Sequence, residues 1–249
     1  MQLASIHPID QGVAEAFVGA LTTPRRDLGV PAIDGTLWLR ERLESARVGL
    51  AQAREGRESG ANAVSLSLAQ VLAAAQPSFV HEGLSLTTLE AAVDRGIGML
   101  LRPPSRLFTD LGLPTDAART MPIRIDASAG MMGGAFMPAN LVLQFRDLLR
   151  ERDVRFVRRL HDSGFDGVGV YGFLLELASY AADRRMGLLE AVDAVVPDAP
   201  RLNPPGTRIV TVDRSRMDRE TVQRLTQSLR PPKRSFMDRI TGRRTPSLN

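Results

Sequence analysis

The sequence predicts a helix-rich α+β fold with six to eight helices and a few short strands, gathered in one body from about residue 8 to residue 229. Three observations carry this. Several stretches repeat apolar residues at spacings of three and four, only short runs alternate or stay continuously apolar, and 249 residues with 43% apolar and 24% charged side chains suffice for a full core. A basic segment, residues 230–249, follows that body as a tail.

The elements follow in chain order. Val13, Phe17, Val18 and Leu21 share a helical face between Gly12 and Leu21, and Pro24 ends that helix. From Thr36 to about Glu55, Leu39, Leu43, Ala46, Leu50 and Ala53 form a narrow heptad-like seam, suited either to an antiparallel helix pair within the body or to zipping onto a partner. EGRESGAN, Glu55 to Asn62, reads as a mobile link before a second helix around Leu66 to Ala75. Thr87 and Glu90 have capping-box spacing for a short helix that stops at Gly96, and IGMLLRPP reads as an extended run. Ile123 and Ile125 alternate with Arg124 and Asp126 in a one-faced strand, and Pro138 and Asn140 open a helix. The stretch from Gly167 to Met186 winds as a helix with Gly172, Glu176, Ser179 and Asp183 on a polar stripe, which leaves Glu176 solvated. TRIVTVDR reads as a strand, and a last helix runs from about Met217 to Leu229.

Charge is unevenly distributed. The tail holds six Lys/Arg and one Asp, leaving 26 basic and 27 acidic side chains in the other 229 residues. A neutral body argues against a fold whose main task is gripping phosphate backbones. Arg outnumbers Lys 31 to 1, as a GC-rich bacterial-type coding bias would give. The chain has no cysteine, so disulfides, thiolate nucleophiles and cysteine-ligated metal centres are excluded. The first residues, MQLASIHPIDQG, lack the pattern of a cleavable signal. Three weakly charged stretches, 61–80, 127–145 and 167–182, are each interrupted by polar residues, prolines or a glutamate. The expectation is therefore a cytoplasmic protein that is not an integral membrane protein.

The stretch IDASAGMMGGAFMPANL, Ile125 to Leu141, most resembles a ligand loop. Gly130, Gly133 and Gly134 fit neither a Walker nor a dinucleotide-binding spacing. Asp126, Ala127, Ser128, Ala129 and Gly130 resemble the D-x-S-x-S motif of the metal-ion-dependent adhesion site in von Willebrand factor A domains. Gly130, however, stands where the second hydroxyl ligand would be. A small-ligand or metal-binding protein or enzyme built on residues 126–134, through Asp126, Ser128, Gly130 and Gly133, is thus one reading. A tight corner whose glycines supply unusual φ angles is the other.

No catalytic residue set, metal ligand set or cofactor is expected. His161, Asp162 and Ser163 are adjacent and cannot form a relay, and His7, His81 and His161 share no metal-ligand spacing. The best polar constellation is Arg155, Arg158 and Arg159. On a helix they would share one face suited to carboxylate or phosphate, or a solvated face paired with Asp153, Asp162 or Glu151; on a strand they would scatter.

The function read from these features is a non-enzymatic interaction or structural subunit of a larger assembly, docking through Leu39, Leu43 and Leu50 and through the tail. Its expected partner is another protein or a second copy. In the tail, Phe236, Met237 and Ile240 would insert into the partner while the arginines meet an acidic rim. The alternative is a nucleic-acid binder using the arginine face and the tail, for which twelve aromatic residues in the whole chain leave little base stacking.

Overall fold

The computed structural model describes residues 3–23, 36–121 and 135–230. Its centre is a five-stranded mixed sheet in the order β3-β4-β1-β2-β5, formed by β1 (Ala4–Ile9), β2 (Ser78–Val80), β3 (Phe136–Met137), β4 (Gly187–Val192) and β5 (Ile209–Val210). β1 runs antiparallel to both β2 and β4, β3 is antiparallel to β4, and β5 is parallel to β2. The amide of Leu3 donates to Asp193 Oδ1 at 3.1 Å and the Asp193 amide to the Leu3 carbonyl at 2.9 Å. The odd-numbered amides of β1 therefore point at β4. Pro8, which has no amide proton, faces the other side, beyond the Ile6↔Phe79 pair, so it costs the ladder no bond.

Helices cover both faces of the sheet. On one face, Ile9, Leu189, Ala191 and Phe136 pack with α1 (Gln11–Thr22), α2 (Thr36–Arg54), α3 (Glu58–Ala75), α5 (Pro104–Asp110) and α6 (Thr115–Ala118). On the other, Ile6, Phe79, Leu188 and Met137 pack with α4 (Leu86–Ala92), α7 (Ala139–Glu151), α8 (Asp153–Asp162), α9 (Gly167–Asp183) and α10 (Arg219–Ser228). The helix-rich α+β class is as expected. Ten α-helices among the described residues exceed the expected six to eight, because the short helices around the 3-10 turn Arg95–Leu100 lack a full apolar period.

Several boundaries depart from the expectation for identifiable reasons. α3 begins at Glu58, so most of the supposed link is helix, and only Gly56 at φ +82° makes the turn. The small residues there serve close packing. A Cβ on Gly60 would lie 2.4 Å from the Gly49 carbonyl, so α2 and α3 cross backbone to backbone. α4 is capped by Ser85, which accepts from the Thr88 amide at 2.9 Å; Thr87 is turned to a buried carboxylate instead. The segment expected to be extended, IGMLLRPP, opens in the 3-10 turn, with only Arg102 bridging to Phe136. The expected strand at Ile123 and Ile125 lies outside the described residues.

Two polar groups sit inside this frame. His7 is fully buried between Ser5 and Ser78, with Nε2 2.8 Å from Ser5 Oγ and Nδ1 3.1 Å from Ser78 Oγ. Ser5 donates its one hydroxyl proton to the Ala191 carbonyl at 3.2 Å, so His7 carries its proton on Nε2 and accepts from Ser78 on Nδ1. Burial pulls the imidazole pKa down to about 3. On the opposite face Glu190, 1% exposed, accepts from the Leu86 amide at 2.6 Å and the Thr87 amide and hydroxyl at 3.3 Å each. Burial raises its pKa, and the Thr87 and Leu86 hydrogen bonds oppose that rise. Among the described residues no helix is long and apolar enough to cross a membrane.

Candidate functional site

Asp153 to Asp162 is helical, so Arg155, Arg158 and Arg159 share one face of α8. The reason lies in the other face. Phe156, Val157 and Leu160 are spaced to bury together, and all three are fully enclosed against α9. Gly167 lets α9 come close, since a Cβ there would meet the Val157 carbonyl at 2.4 Å. Gly164, at φ +87°, ends α8 in the left-handed conformation that glycine adopts without strain.

The three arginines differ in what holds them. Asp94, only 5% exposed, accepts from the Gly96 amide at 2.8 Å and from Arg152 Nη1 at 3.1 Å, and Arg155 Nη2 lies 3.8 Å away. Burial works against ionisation of Asp94, but the Gly96 amide and the two arginines together hold its carboxyl below the ordinary aspartate range. Arg158 Nε donates to the Ser228 carbonyl at 3.1 Å, placing a cation at the C-terminal end of α10 where carbonyls are unpaired. The Arg159 side chain makes no hydrogen bond or ion pair among the described residues and is exposed.

Two hollows adjoin on this face. Arg152, Arg155, Arg158 and Arg159 line one, together with Glu151, Asp153 and Asp162. Arg158, His161, Ser228 and Arg230 line the next. Four arginines interleaved with three acids make a patterned surface, not a uniform positive one. The tail begins at its edge, because Arg230, its first residue, lines this hollow two positions after the carbonyl that Arg158 holds. Sequence separation of 70 residues leaves no local signal from which this contact, or the burial of Asp94, could be read.

The remaining candidates are placed as follows. Leu39, Leu43 and Leu50 are 4%, 5% and 5% exposed and pack with Ala46 and Ala53 into the core shared with α3. The seam is thus occupied by the chain itself and offers no free face, because the turn at Gly56 folds α3 back along it. Asp126, Ser128, Gly130 and Gly133 lie outside the described residues, as do Phe236, Met237 and Ile240. Among the described residues no group of three or more His, Asp or Glu side chains is placed to hold a metal ion. Glu176, expected to be solvated, is half-buried and accepts from Arg216 Nη1 at 2.9 and 3.1 Å. The polar stripe of α9 receives the segment that precedes α10. Compared with known protein families, curated proteins and solved structures, the chain matches none.

Proposed function

We propose that the chain is a non-enzymatic interaction or structural subunit of a larger assembly, and that it docks onto a carboxylate-bearing protein surface through the arginine face of α8 and the basic tail. The observation that carries this reading is the juxtaposition of the two. Arg158 ties α8 to the end of α10, so the root of the tail, with its six basic residues, leaves from beside Arg155, Arg158 and Arg159. Interleaved acids favour a protein partner over nucleic acid. Glu151, Asp153 and Asp162 would face a phosphate backbone with like charge, whereas a protein surface can match an alternating pattern.

Light scattering during size-exclusion chromatography of the native protein tests this reading. The expected result is a particle larger than the 27.1 kDa chain, containing a second protein or further copies in fixed ratio, and losing mass at high salt. A strict monomer under all conditions, with no partner in fixed ratio, would remove the proposal. Co-elution with nucleic acid alone would put the phosphate-binding alternative in its place.

A further inference from the structure

A cleft of about 560 Å3 opens between α9 and the segment that carries the 3-10 turn Arg214–Arg216 and α10. Its floor is apolar. Tyr171, Leu175 and Met217 line it, and the Met217 thioether lies directly on the α9 backbone, since a Cβ on Gly172 would come within 2.3 Å of its sulfur. The size falls within the roughly 300 to 1,000 Å3 range of small-ligand pockets.

Most charges around the cleft are already engaged. Asp153 pairs with Arg224 and Glu176 with Arg216. Asp213 accepts from the Ser215 amide at 2.9 Å, and Asp218 from the Thr221 amide at 2.8 Å. Three polar groups, Arg150, Tyr171 and Ser179, are left over. The Arg150 guanidinium makes no ion pair or hydrogen bond among the described residues, and neither does the Tyr171 hydroxyl, although the tyrosine as a whole is only 3% exposed. Burial, then the nearby Asp153 charge, raise the Tyr171 pKa, so the phenol stays protonated and is available to donate. A phenol donor that opens into the cleft without a protein acceptor, beside a cation without a counter-ion and above an apolar floor, is an incomplete set of interactions.

We propose that this cleft binds a small amphiphilic carboxylate, whose anion accepts from the Tyr171 hydroxyl and Arg150 while its apolar chain lies against Leu175 and Met217. Although Asp153 borders both hollows, the residues that would contact the carboxylate are not those of the α8 arginine face, so carboxylate binding and partner docking can fail independently. The test titrates the full chain with octanoate, octanol and octylamine by calorimetry, and follows the Met217 methyl resonance. Octanoate is expected to bind and shift that resonance, and octanol and octylamine to bind at least about tenfold more weakly, because neither supplies the anion. Tyr171→Phe keeps the ring and Arg150 is on the surface, so both Tyr171→Phe and Arg150→Gln should fold. Each is expected to weaken octanoate about tenfold. Absence of octanoate binding, equal binding of octanol, or unchanged octanoate affinity in both variants would each overturn the proposal.

Discussion

Acidification should unfold this protein largely through His7. Folding removes the imidazole from water into a fully buried site between two serines, where the charged form loses its hydration. With a folded-state pKa of about 3 against 6.5 in the unfolded chain, the unfolded state takes up the proton first as pH falls. The stability that neutral His7 confers is therefore complete above pH 6.5 and is lost progressively down to the folded value. At 1.36 kcal/mol per pH unit, the loss between pH 7 and pH 4.5 is about 2 to 3 kcal/mol. Urea unfolding of the full chain and of His7→Gln across that interval measures it. The variant should be less stable at pH 7, yet its stability should fall by about 2 kcal/mol less than that of the natural chain on going to pH 4.5. Parallel pH profiles would refute the assignment of this acid sensitivity to His7.

Other perturbations have equally definite outcomes. Glu190 should act in the opposite sense: its raised pKa costs stability as pH climbs from the unfolded value through the folded one, so Glu190→Gln should remove that loss in urea unfolding followed upward from the ordinary glutamate range. Gly60→Ala should lower stability by about 2 kcal/mol or more in thermal melts, because its Cβ would overlap the Gly49 carbonyl and force α2 and α3 apart. Asp94→Ala removes the acceptor of the Gly96 amide and of Arg152, at a cost of about 2 to 4 kcal/mol. Asp94→Asn, which can still accept from Gly96, should cost less in chemical denaturation.

The elements legible in the sequence are those whose apolar residues face one side. α1, α2 and α9 follow their periodicity closely, and the stop at Gly164 is readable from the glycine alone. β1 and β4 are not legible because both faces of each are buried, which erases the period-two alternation, and β1 adds Ser5, His7 and Pro8 to a strand that local propensity would place in a loop. The start of α3 is hidden for a related reason: Ser59 and Gly60 look like a link, but the glycine is there to admit the backbone of α2. At the candidate site, the spacing of the arginines was visible while their state was not. Whether 153–162 is helix or strand depended on what Phe156, Val157 and Leu160 pack against, which is the apolar side of α9. The arrival of α10 beside Arg158 is a tertiary contact with no local signature.

The most direct test of docking compares partner recovery from the native cell by the full chain and by a chain ending at Arg230 that also carries Arg159→Glu. The Arg159 side chain is exposed and bonds to nothing among the described residues, so the reversal leaves the fold intact. The full chain should retain one protein in fixed ratio, and the altered chain should lose it by at least tenfold while melting at the same temperature. Equal recovery of that protein by both chains would contradict docking through the α8 face and the tail.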